Sequence, residues 1–322
     1  MLPDFSYVRP QTTDEVLRNL ASPDARIHAG GTDLLGCLRD GVFKARKVVS
    51  ISGLEELHGI RQTQDGGARI GALTTLSEIV ENSDIRRRYP GLAQAAAEVA
   101  SPQLRNQGTL GGNLCQRPRC WYFRGEFHCA KKGGGQCFAV DGENRYHAIF
   151  GGDPCFIVHP SDTAPMLLAL GAAVRIEGSR GSRVVPLESF FVLPEEDLHR
   201  ETILADDEVL TEVLLPAPAP DLHSSYRKAR ERGAWDFALA SVALALRFRD
   251  QRVEMARIVF GGVAPKPWRS VKAEQAIQGK ALNSETISAA AAAAITDAEP
   301  LEQNGYKVLL LRGLVEETLS AL

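Results

Sequence analysis

Residues 26–51 read RIHAGGTDLLGCLRDGVFKARKVVSI and contain a complete strand–turn–helix–strand unit. The short apolar run at 26–29 predicts a strand that leads into a glycine turn at Gly30 and Gly31. The next residues predict a helix, because apolar side chains recur on one face at Leu34, Leu35, Leu38 and Val42. Residues 47–51 predict a second strand. We therefore expect a first subdomain over residues 1–57.

The chain after this unit divides at a proline-rich linker. Residues 58–216 contain predicted strands at 68–72, 156–158 and 173–177, the last of which should pair with 183–187 in a hairpin. Thr75 and Glu78 have capping-box spacing at the start of a helix, and helices are also expected at 92–100 and 165–170. The linker PAPAP, residues 216–220, is followed by strands and then two helices in 217–322. This order predicts the α+β class.

Composition excludes several classes of protein. Of the 322 residues, 44% are hydrophobic and 24% are charged, and the net charge is −3. This balance argues against a dedicated nucleic-acid binder and against a disordered chain. The longest apolar runs, such as 237–246, reach about half a membrane span. The first residues lack a basic stretch followed by an apolar one, so we expect no export signal on this chain.

Two glycine-rich stretches are candidate ligand-binding loops. The first, residues 29–34, lies between a strand and a helix, where backbone N–H groups and a helix N-terminus favour a phosphate. The second, GTLGGN at 108–113, could face it across a cleft, so that the two loops hold the two phosphates of one dinucleotide. Neither matches the G-x-G-x-x-G fingerprint. The alternative is a pair of structural turns, the first capped by Thr32.

Five of the six cysteines fall within residues 115–155, a glycine-rich stretch without helical or strand periodicity. In a chain without an export signal, such a cluster favours metal binding over disulfides. No tight C-x-x-C pair is present, so the wide spacing suits an iron–sulfur cluster better than zinc. Neighbouring basic residues would offset the charge of the thiolates; they are Arg117, Arg119, Arg124, Lys131 and Lys132. The alternative is five free cysteines in a loop.

Two further segments carry charged candidates. Asp162, in the sequence HPSD at 159–162, precedes a helix and could accept hydrogen bonds from a ligand or cap that helix. The basic run 226–236, YRKARERGAWD, is either a solvated strand face or a source of a cation near a bound anion. No Ser/His/Asp triad order, H-E-x-x-H motif or nucleophile elbow is present, so a hydrolase has no support.

Taken in order, these segments resemble one family, the FAD-binding medium subunits of the molybdenum hydroxylases, which include xanthine dehydrogenase and carbon monoxide dehydrogenase. The resemblance rests on the following segments and covers nearly the whole chain: AGGTDLL (29–35), QLRNQGTLGGNL (103–114), HPSDTAP (159–165), YRKARERGAWDFALASVALAL (226–246) and GGVAPKPWR (261–269). It implies a two-subdomain FAD-binding region over 1–57 and 58–216, and a C-terminal flavoprotein domain over 217–322.

About 40 residues are inserted after GGNL, and they hold the cysteines. This insertion resembles the subset of the family with an extra [4Fe–4S] cluster, and QRPRCWYF (116–123) is most similar to the bacterial periplasmic-type aldehyde oxidoreductases. The resemblance implies cluster ligands at Cys120, Cys129, Cys137 and Cys155, with Cys115 outside the set. It also implies FAD contacts from the following residues: Ala29, Gly30, Gly31, Thr32, Asp33, Leu34, Thr109, Gly112, Asn113, Asp162, Leu210 and Lys228.

Among these, the loop 29–34 would hold the pyrophosphate, Asp162 would bind the adenosine end, and Leu210 would pack on the cofactor. Lys228 would lie near the flavin, where a cation stabilises the reduced, anionic form. No substrate-oxidising residue is expected on this chain, so no catalytic residue is assigned.

The resemblance further implies an electron-transfer subunit of an aldehyde oxidoreductase. A large molybdopterin subunit would oxidise the substrate, a small subunit with two [2Fe–2S] clusters would relay electrons, and FAD would pass them to an external acceptor. No nucleic-acid or membrane partner is expected. The location would be the cytoplasm, or the periplasm by export with a signal-bearing partner.

Three alternatives remain open at this point. The first is a flavin-free module stabilised by a metal. The second is a subunit of a 4-hydroxybenzoyl-CoA reductase-like enzyme. The third is a stand-alone flavin oxidase, which the lack of a catalytic acid or base near the flavin motifs disfavours.

Overall fold

The computed structural model describes all 322 residues, which form three β-sheets with helices packed against them. The strands are β1 (Ser6–Val8), β2 (Ala25–His28), β3 (Lys47–Ser50), β4 (Ile60–Gln62), β5 (Ala68–Gly71), β6 (Ala173–Gly178), β7 (Gly181–Pro186), β8 (Glu208–Leu215), β9 (Leu222–Ala229), β10 (Ala240–Arg249), β11 (Arg252–Gly261) and β12 (Trp268–Arg269).

The helices are α1 (Thr13–Leu20), α2 (Leu34–Arg39), α3 (Leu76–Glu81), α4 (Ser83–Arg88), α5 (Pro90–Ala97), α6 (Pro102–Arg105), α7 (Leu110–Leu114), α8 (Trp121–Arg124), α9 (Thr163–Ala169), α10 (Val271–Ile277), α11 (Ser284–Ala294) and α12 (Tyr306–Ser320). Three single 3₁₀ turns occupy Glu55–Leu57, Ala130–Lys132 and Leu187–Ser189.

The first sheet is parallel and has the order β1-β3-β2. Strand β2 leads through the glycine turn into α2, and the chain returns in β3, as the opening stretch of sequence predicts. Parallel neighbours require such a crossover. The turn that follows β2 is therefore placed at the edge of this sheet, where it faces the second sheet.

The second sheet has the order β4-β5-β8-β6-β7, and its strands pair in antiparallel fashion. The predicted hairpin forms between β6 and β7, with Gly178 opposite Gly181. The predicted capping box is also present, because Thr75 accepts from the Glu78 N–H while the Glu78 carboxylate accepts from the Thr75 N–H. Helices α3 to α5 and α9 pack with this sheet in the largest apolar core.

The third sheet has the antiparallel order β12-β11-β10-β9 and carries helices α10 to α12 in a separate apolar core. Strand β10 alternates between the two cores: Ala243 and Ala245 belong to the first, whereas Val242 and Leu244 belong to the second. The period of two along a strand explains this division. The sheet therefore joins the C-terminal unit to the rest of the chain by direct packing.

Residues 115–155 form an irregular excursion whose only regular elements are α8 and one 3₁₀ turn. The strand predicted at 156–158 is wrong, because this segment is extended without a paired strand. It is held by single backbone bonds, from the Ala148 N–H to the Phe156 carbonyl and from the His159 N–H to the Ala264 carbonyl. No helix of the chain has the length and apolar character needed to cross a membrane.

Candidate functional site: a cleft and a neighbouring cysteine cavity

A cleft of about 830 Å³ opens between the first two sheets. Its volume lies within the range of ligand pockets, about 300–1,000 Å³. Residues 235–237 of the C-terminal unit complete its wall. Eleven of the twelve residues expected to contact FAD line it, and they are Ala29, Gly30, Gly31, Thr32, Asp33, Leu34, Thr109, Gly112, Asn113, Asp162 and Leu210. The exception is Lys228.

The first glycine loop offers the cleft a row of free hydrogen-bond donors. None of the backbone N–H groups of residues 30–34 donates to an acceptor within the chain, and no side chain caps the following helix. Thr32 therefore does not have the capping role that the structural alternative gave it. Unpartnered N–H groups that face a cavity form an anion-binding concavity. Because α2 has only six residues, the N–H groups rather than a helix dipole carry this property.

The second glycine loop is bonded internally and plays a different part. Thr109 caps α7 by accepting from the Gly112 N–H at 3.2 Å. The Asn113 Oδ1 accepts from the hydroxyls of Ser161 and Thr163. Backbone acceptors inside the chain take the N–H groups of Gly108, Leu110, Gly111 and Asn113. Two equivalent phosphate loops are therefore not present, and the second loop supplies a rigid wall.

The two loops touch at their base. A Cβ atom added at Gly30 would overlap the carbonyl oxygen of Gln107, so only glycine allows this approach. Gly31 has a φ of 73°, in the left-handed region that favours glycine. The glycines of the first loop therefore hold its backbone, which has unpartnered N–H groups, against the second loop at the wall of the cleft.

Asp33 connects the first loop to the inserted segment. Its carboxylate accepts from the Arg117 backbone N–H at 2.7 Å and lies 2.9 Å from the Arg119 guanidinium and 2.7 Å from that of Arg124. All three arginines form ion pairs with carboxylates at the cleft, Arg117 with Glu201 and the other two with Asp33. Sequence reasoning missed these ion pairs, because the partners are more than 80 residues apart. That the three arginines also offset the charge of a cluster stays a prediction.

Asp162 is almost fully buried, with its carboxylate held by strand β9. It accepts from the Tyr226 hydroxyl at 2.7 Å and from Lys228 Nζ at 2.8 Å. The side chain makes no capping bond to α9; Ser161 supplies that bond by accepting from the Ala164 N–H. Burial raises the pKa of Asp162, and the charge of Lys228 opposes this rise. Lys228 lies behind Asp162, outside the cleft wall, so any effect it has on a ligand passes through that carboxylate.

We expect Lys228→Met to lower the free energy of unfolding by about 3–5 kcal/mol at pH 7, because it leaves the buried Asp162 carboxylate without a cation. The loss should shrink as the pH falls toward 5. Removal of Lys228 raises the folded-state pKa of Asp162 further, and a carboxyl whose pKa is raised on folding favours the folded state more as it becomes protonated.

Urea denaturation at pH 7 and pH 5 checks this, with Asp162→Asn/Lys228→Met as the control that removes both charges. A double variant no more stable than the single one, or a loss that does not change with pH, would show that the pair is not a buried ion pair of this kind.

A second, small cavity lies inside the inserted segment and has a volume of about 10 Å³. All four predicted ligands line it, namely Cys120, Cys129, Cys137 and Cys155. A hydrogen bond from Cys155 lowers the pKa of Cys137, whereas burial raises the pKa of Cys120 to about 11. No three His, Cys, Asp or Glu side chains converge closely enough to hold a single metal ion.

The other two cysteines lie elsewhere. Cys115 lines the cleft, and burial raises its pKa to about 12. Cys37 is buried on α2, and its pKa is raised to about 11, mainly by burial. His147 also lines the cysteine cavity, with Nε2 3.2 Å from Cys120 Sγ. The cavity therefore gathers the four expected thiols and leaves Cys115 on a different wall.

Comparison with known proteins gives a family match for each of the two parts of the chain. Residues 3–218 match the family described as FAD binding domain in molybdopterin dehydrogenase. Residues 224–322 match the CO dehydrogenase flavoprotein C-terminal domain. Neither description mentions an iron–sulfur cluster, so the cluster stays a prediction.

Relatives of known function and structure are similar over nearly the full length. The chain is 36% identical to the aldehyde oxidoreductase FAD-binding subunit PaoB of Escherichia coli, over 98% of this chain and 97% of that protein. It is 28% identical to the carbon monoxide dehydrogenase medium chain of Hydrogenophaga pseudoflava, over 99% and 97%. A carbon monoxide dehydrogenase structure from the same organism superimposes with a TM-score of 0.80 at 28% identity, over 100% of this chain and 98% of that one. These matches confirm the predicted α+β architecture.

Proposed function

Because the chain belongs to the family of FAD-binding medium subunits of the molybdenum hydroxylases, we propose that it binds FAD in the cleft between its first two sheets. The observation that carries this proposal is the row of five unpartnered N–H groups, residues 30–34, on the wall of the cleft. The pyrophosphate of FAD is an anion that such donors bind. A flavin-free module is not consistent with membership of this family.

The residues around the loop would orient the cofactor. Asp33 lies next to the phosphate position, and its negative charge is offset by the arginines of the inserted segment. Asp162 would receive the adenosine end, held in one orientation by Tyr226 and Lys228. Leu210, which is 4% exposed, would pack against the cofactor. When bound, FAD takes up and releases electrons, and this chain supplies its binding, orientation and electrostatic surroundings.

We further propose that the inserted segment binds a [4Fe–4S] cluster through Cys120, Cys129, Cys137 and Cys155. Four cysteine thiolates are the ligands that such clusters use, and these four thiols surround one cavity. They are not arranged for a single ion, and the thiols would have to separate to admit the cluster. Tyr122, Phe123 and Phe138 line the same cavity and would shield the cluster from water.

The complete enzyme would be a molybdenum-containing aldehyde oxidoreductase. The support is the 36% identity to a subunit of that name over nearly the whole chain. In it, a molybdopterin subunit would oxidise the substrate and a [2Fe–2S] subunit would deliver electrons to this chain, which would pass them to an external acceptor. The chain would work in the cytoplasm, or in the periplasm after export with a partner.

The experiment uses the complex isolated with its partner subunits under anaerobic conditions. Addition of an aldehyde should bleach the flavin absorption, and addition of xanthine should not. Bleaching by xanthine alone would assign the complex to another branch of the family. A flavin that neither substrate reduces, in a complex that contains molybdenum, would contradict the proposed electron route.

A further inference from the structure

A continuous line of charged side chains joins the cysteine cavity to the cleft. Lys131 lines the cavity, two residues after Cys129, and its side chain is 1% exposed. Its Nζ lies 2.6 Å from Glu201 Oε1 and donates to the Leu198 carbonyl at 2.9 Å. Glu201, whose side chain is 6% exposed, therefore stands directly behind the cysteine cavity.

The line continues from Glu201 into the cleft. Glu201 Oε2 lies 2.8 Å from Arg117 Nε, and both residues line the cleft. The Arg117 backbone N–H donates to Asp33 Oδ2 at 2.7 Å, which ties the arginine to the first glycine loop. The contacts of Glu201 with both cations are charge contacts rather than aligned hydrogen bonds. Glu201 therefore contacts both Lys131 of the cysteine cavity and Arg117 of the cleft wall, and its carboxylate lies between these two cations.

The segment around Glu201 also contacts the insertion at two separate residues, Lys131 and Arg117. His199 Nδ1 lies 3.3 Å from the Lys131 carbonyl, and the His199 carbonyl accepts from Arg117 at 3.1 Å. Because of these bonds, a displacement of Lys131 or Arg117 should also displace residues 199–201, which form part of the cleft wall.

The part of the insertion around Lys131 has little apolar packing with which to hold this arrangement. The core cluster beside it contains four buried residues, of which only Phe123 and Cys129 belong to the insertion. Ile149 and Phe150, near the end of the insertion, pack instead into the C-terminal core. The main core contains 31. Segments with few buried apolar contacts open at low free energy. A cluster bound by four cysteines would tie Cys129, and with it Lys131, to the rest of the cavity.

We propose that Glu201 is a positioning residue that couples the two cofactor sites, so that a filled cysteine cavity tightens FAD binding. This rests on the proposed cluster. Ligation of Cys129 holds Lys131, Lys131 holds Glu201, and Glu201 holds Arg117 against Asp33 at the glycine loop. Coupling between two sites is reciprocal, so bound FAD strengthens retention of the cluster by the same factor.

The test uses the full-length chain and compares FAD affinity with the cluster present and after removal of iron with a chelator. Binding is followed by the change in flavin fluorescence. In the wild-type chain, iron removal should weaken FAD binding about tenfold, within the usual range of coupling between sites. In Glu201→Gln, the ratio of the two affinities should fall close to one.

Glu212→Gln is the matched control. Glu212 lies in β8, and its largely buried carboxylate pairs with Arg69 of β5 and Arg175 of β6. It lines neither of the two cavities. Its ratio should equal that of the wild type. Arg117→Met provides a second break in the line if Glu201→Gln folds poorly, because Arg117 is 28% exposed and its loss leaves Glu201 paired with Lys131. For each variant, the FAD affinity with the cluster is divided by the FAD affinity after iron removal. A direct contact of Arg117 with FAD affects both values and therefore cancels in the ratio.

A wild-type ratio near one, in protein that does contain iron, would overturn the coupling. An unchanged ratio in both Glu201→Gln and Arg117→Met would overturn the role of Glu201. A wild-type chain that takes up no iron at any stage would instead refute the proposed cluster, and the coupling with it, while FAD binding could still be measured.

Discussion

Gly30→Ala should weaken FAD binding at least about a hundredfold while the rest of the chain stays folded. The added Cβ overlaps the Gln107 carbonyl oxygen, so the first glycine loop must move away from the second. The move displaces the unpartnered N–H groups of residues 30–34, which line the cleft. Hydrogen bonds to charged groups contribute about 1.5–3 kcal/mol each, and the loss of two suffices for this effect.

Fluorescence titration with FAD measures this effect, and Gly53→Ala is the matched control. No heavy atom lies within 4 Å of a Cβ at Gly53, and its φ is not positive, so this variant should bind FAD as the wild type does. The near-ultraviolet circular dichroism of Gly30→Ala should match that of the wild type. Wild-type FAD affinity in Gly30→Ala would mean that the loop does not hold the pyrophosphate.

Cys120→Ala and Cys137→Ala should each lose nearly all of about four iron atoms per chain. Both thiols line the cysteine cavity, and a [4Fe–4S] cluster without one of its four thiolate ligands loses one of the bonds that retain it in the protein. Flavin should still reach about one per chain at saturating FAD, since neither residue lines the cleft.

Cys115→Ala is the control that distinguishes the loss of a cluster ligand from the loss of any cysteine in this region. Cys115 lies on the cleft wall and not on the cysteine cavity, so this variant should keep its iron. Iron and acid-labile sulfide are measured on protein reconstituted without oxygen. Equal iron in Cys120→Ala and the wild type, or loss of iron in Cys115→Ala alone, would show that the ligand set is different.

The parts of the fold that the sequence predicts are those written in local patterns. The strand–turn–helix unit around Gly30, the Thr75 capping box and the β6–β7 hairpin each depend on residues close together in the chain, and the structure confirms them. The same reasoning failed at residues 156–158. A short apolar run is compatible both with a strand and with a buried extended segment, and here no strand pairs with it.

The charged side chains of the site could not be paired from the sequence, since their partners are distant. Asp162 and Lys228 are 66 residues apart, and Glu201 meets Arg117 and Lys131 only because the insertion folds back over the cleft. Glu201 itself lies in a loop that has neither periodicity nor a motif, so the local sequence does not identify it as a residue of the site. The sequence does predict the two glycine loops, because clustered glycines are recognisable in it. Only the structure shows that the first loop has a row of unpartnered N–H groups and that the second loop does not.

The most direct test of the two proposed cofactors is a count of flavin, iron and acid-labile sulfide on one sample of the wild-type protein, isolated with its partner subunits. After correction for the iron of the partners, the expected result is about one FAD, four iron and four sulfide for each copy of this chain. FAD without the four iron would refute the cluster and leave the flavin site intact. A sample with neither would contradict both assignments.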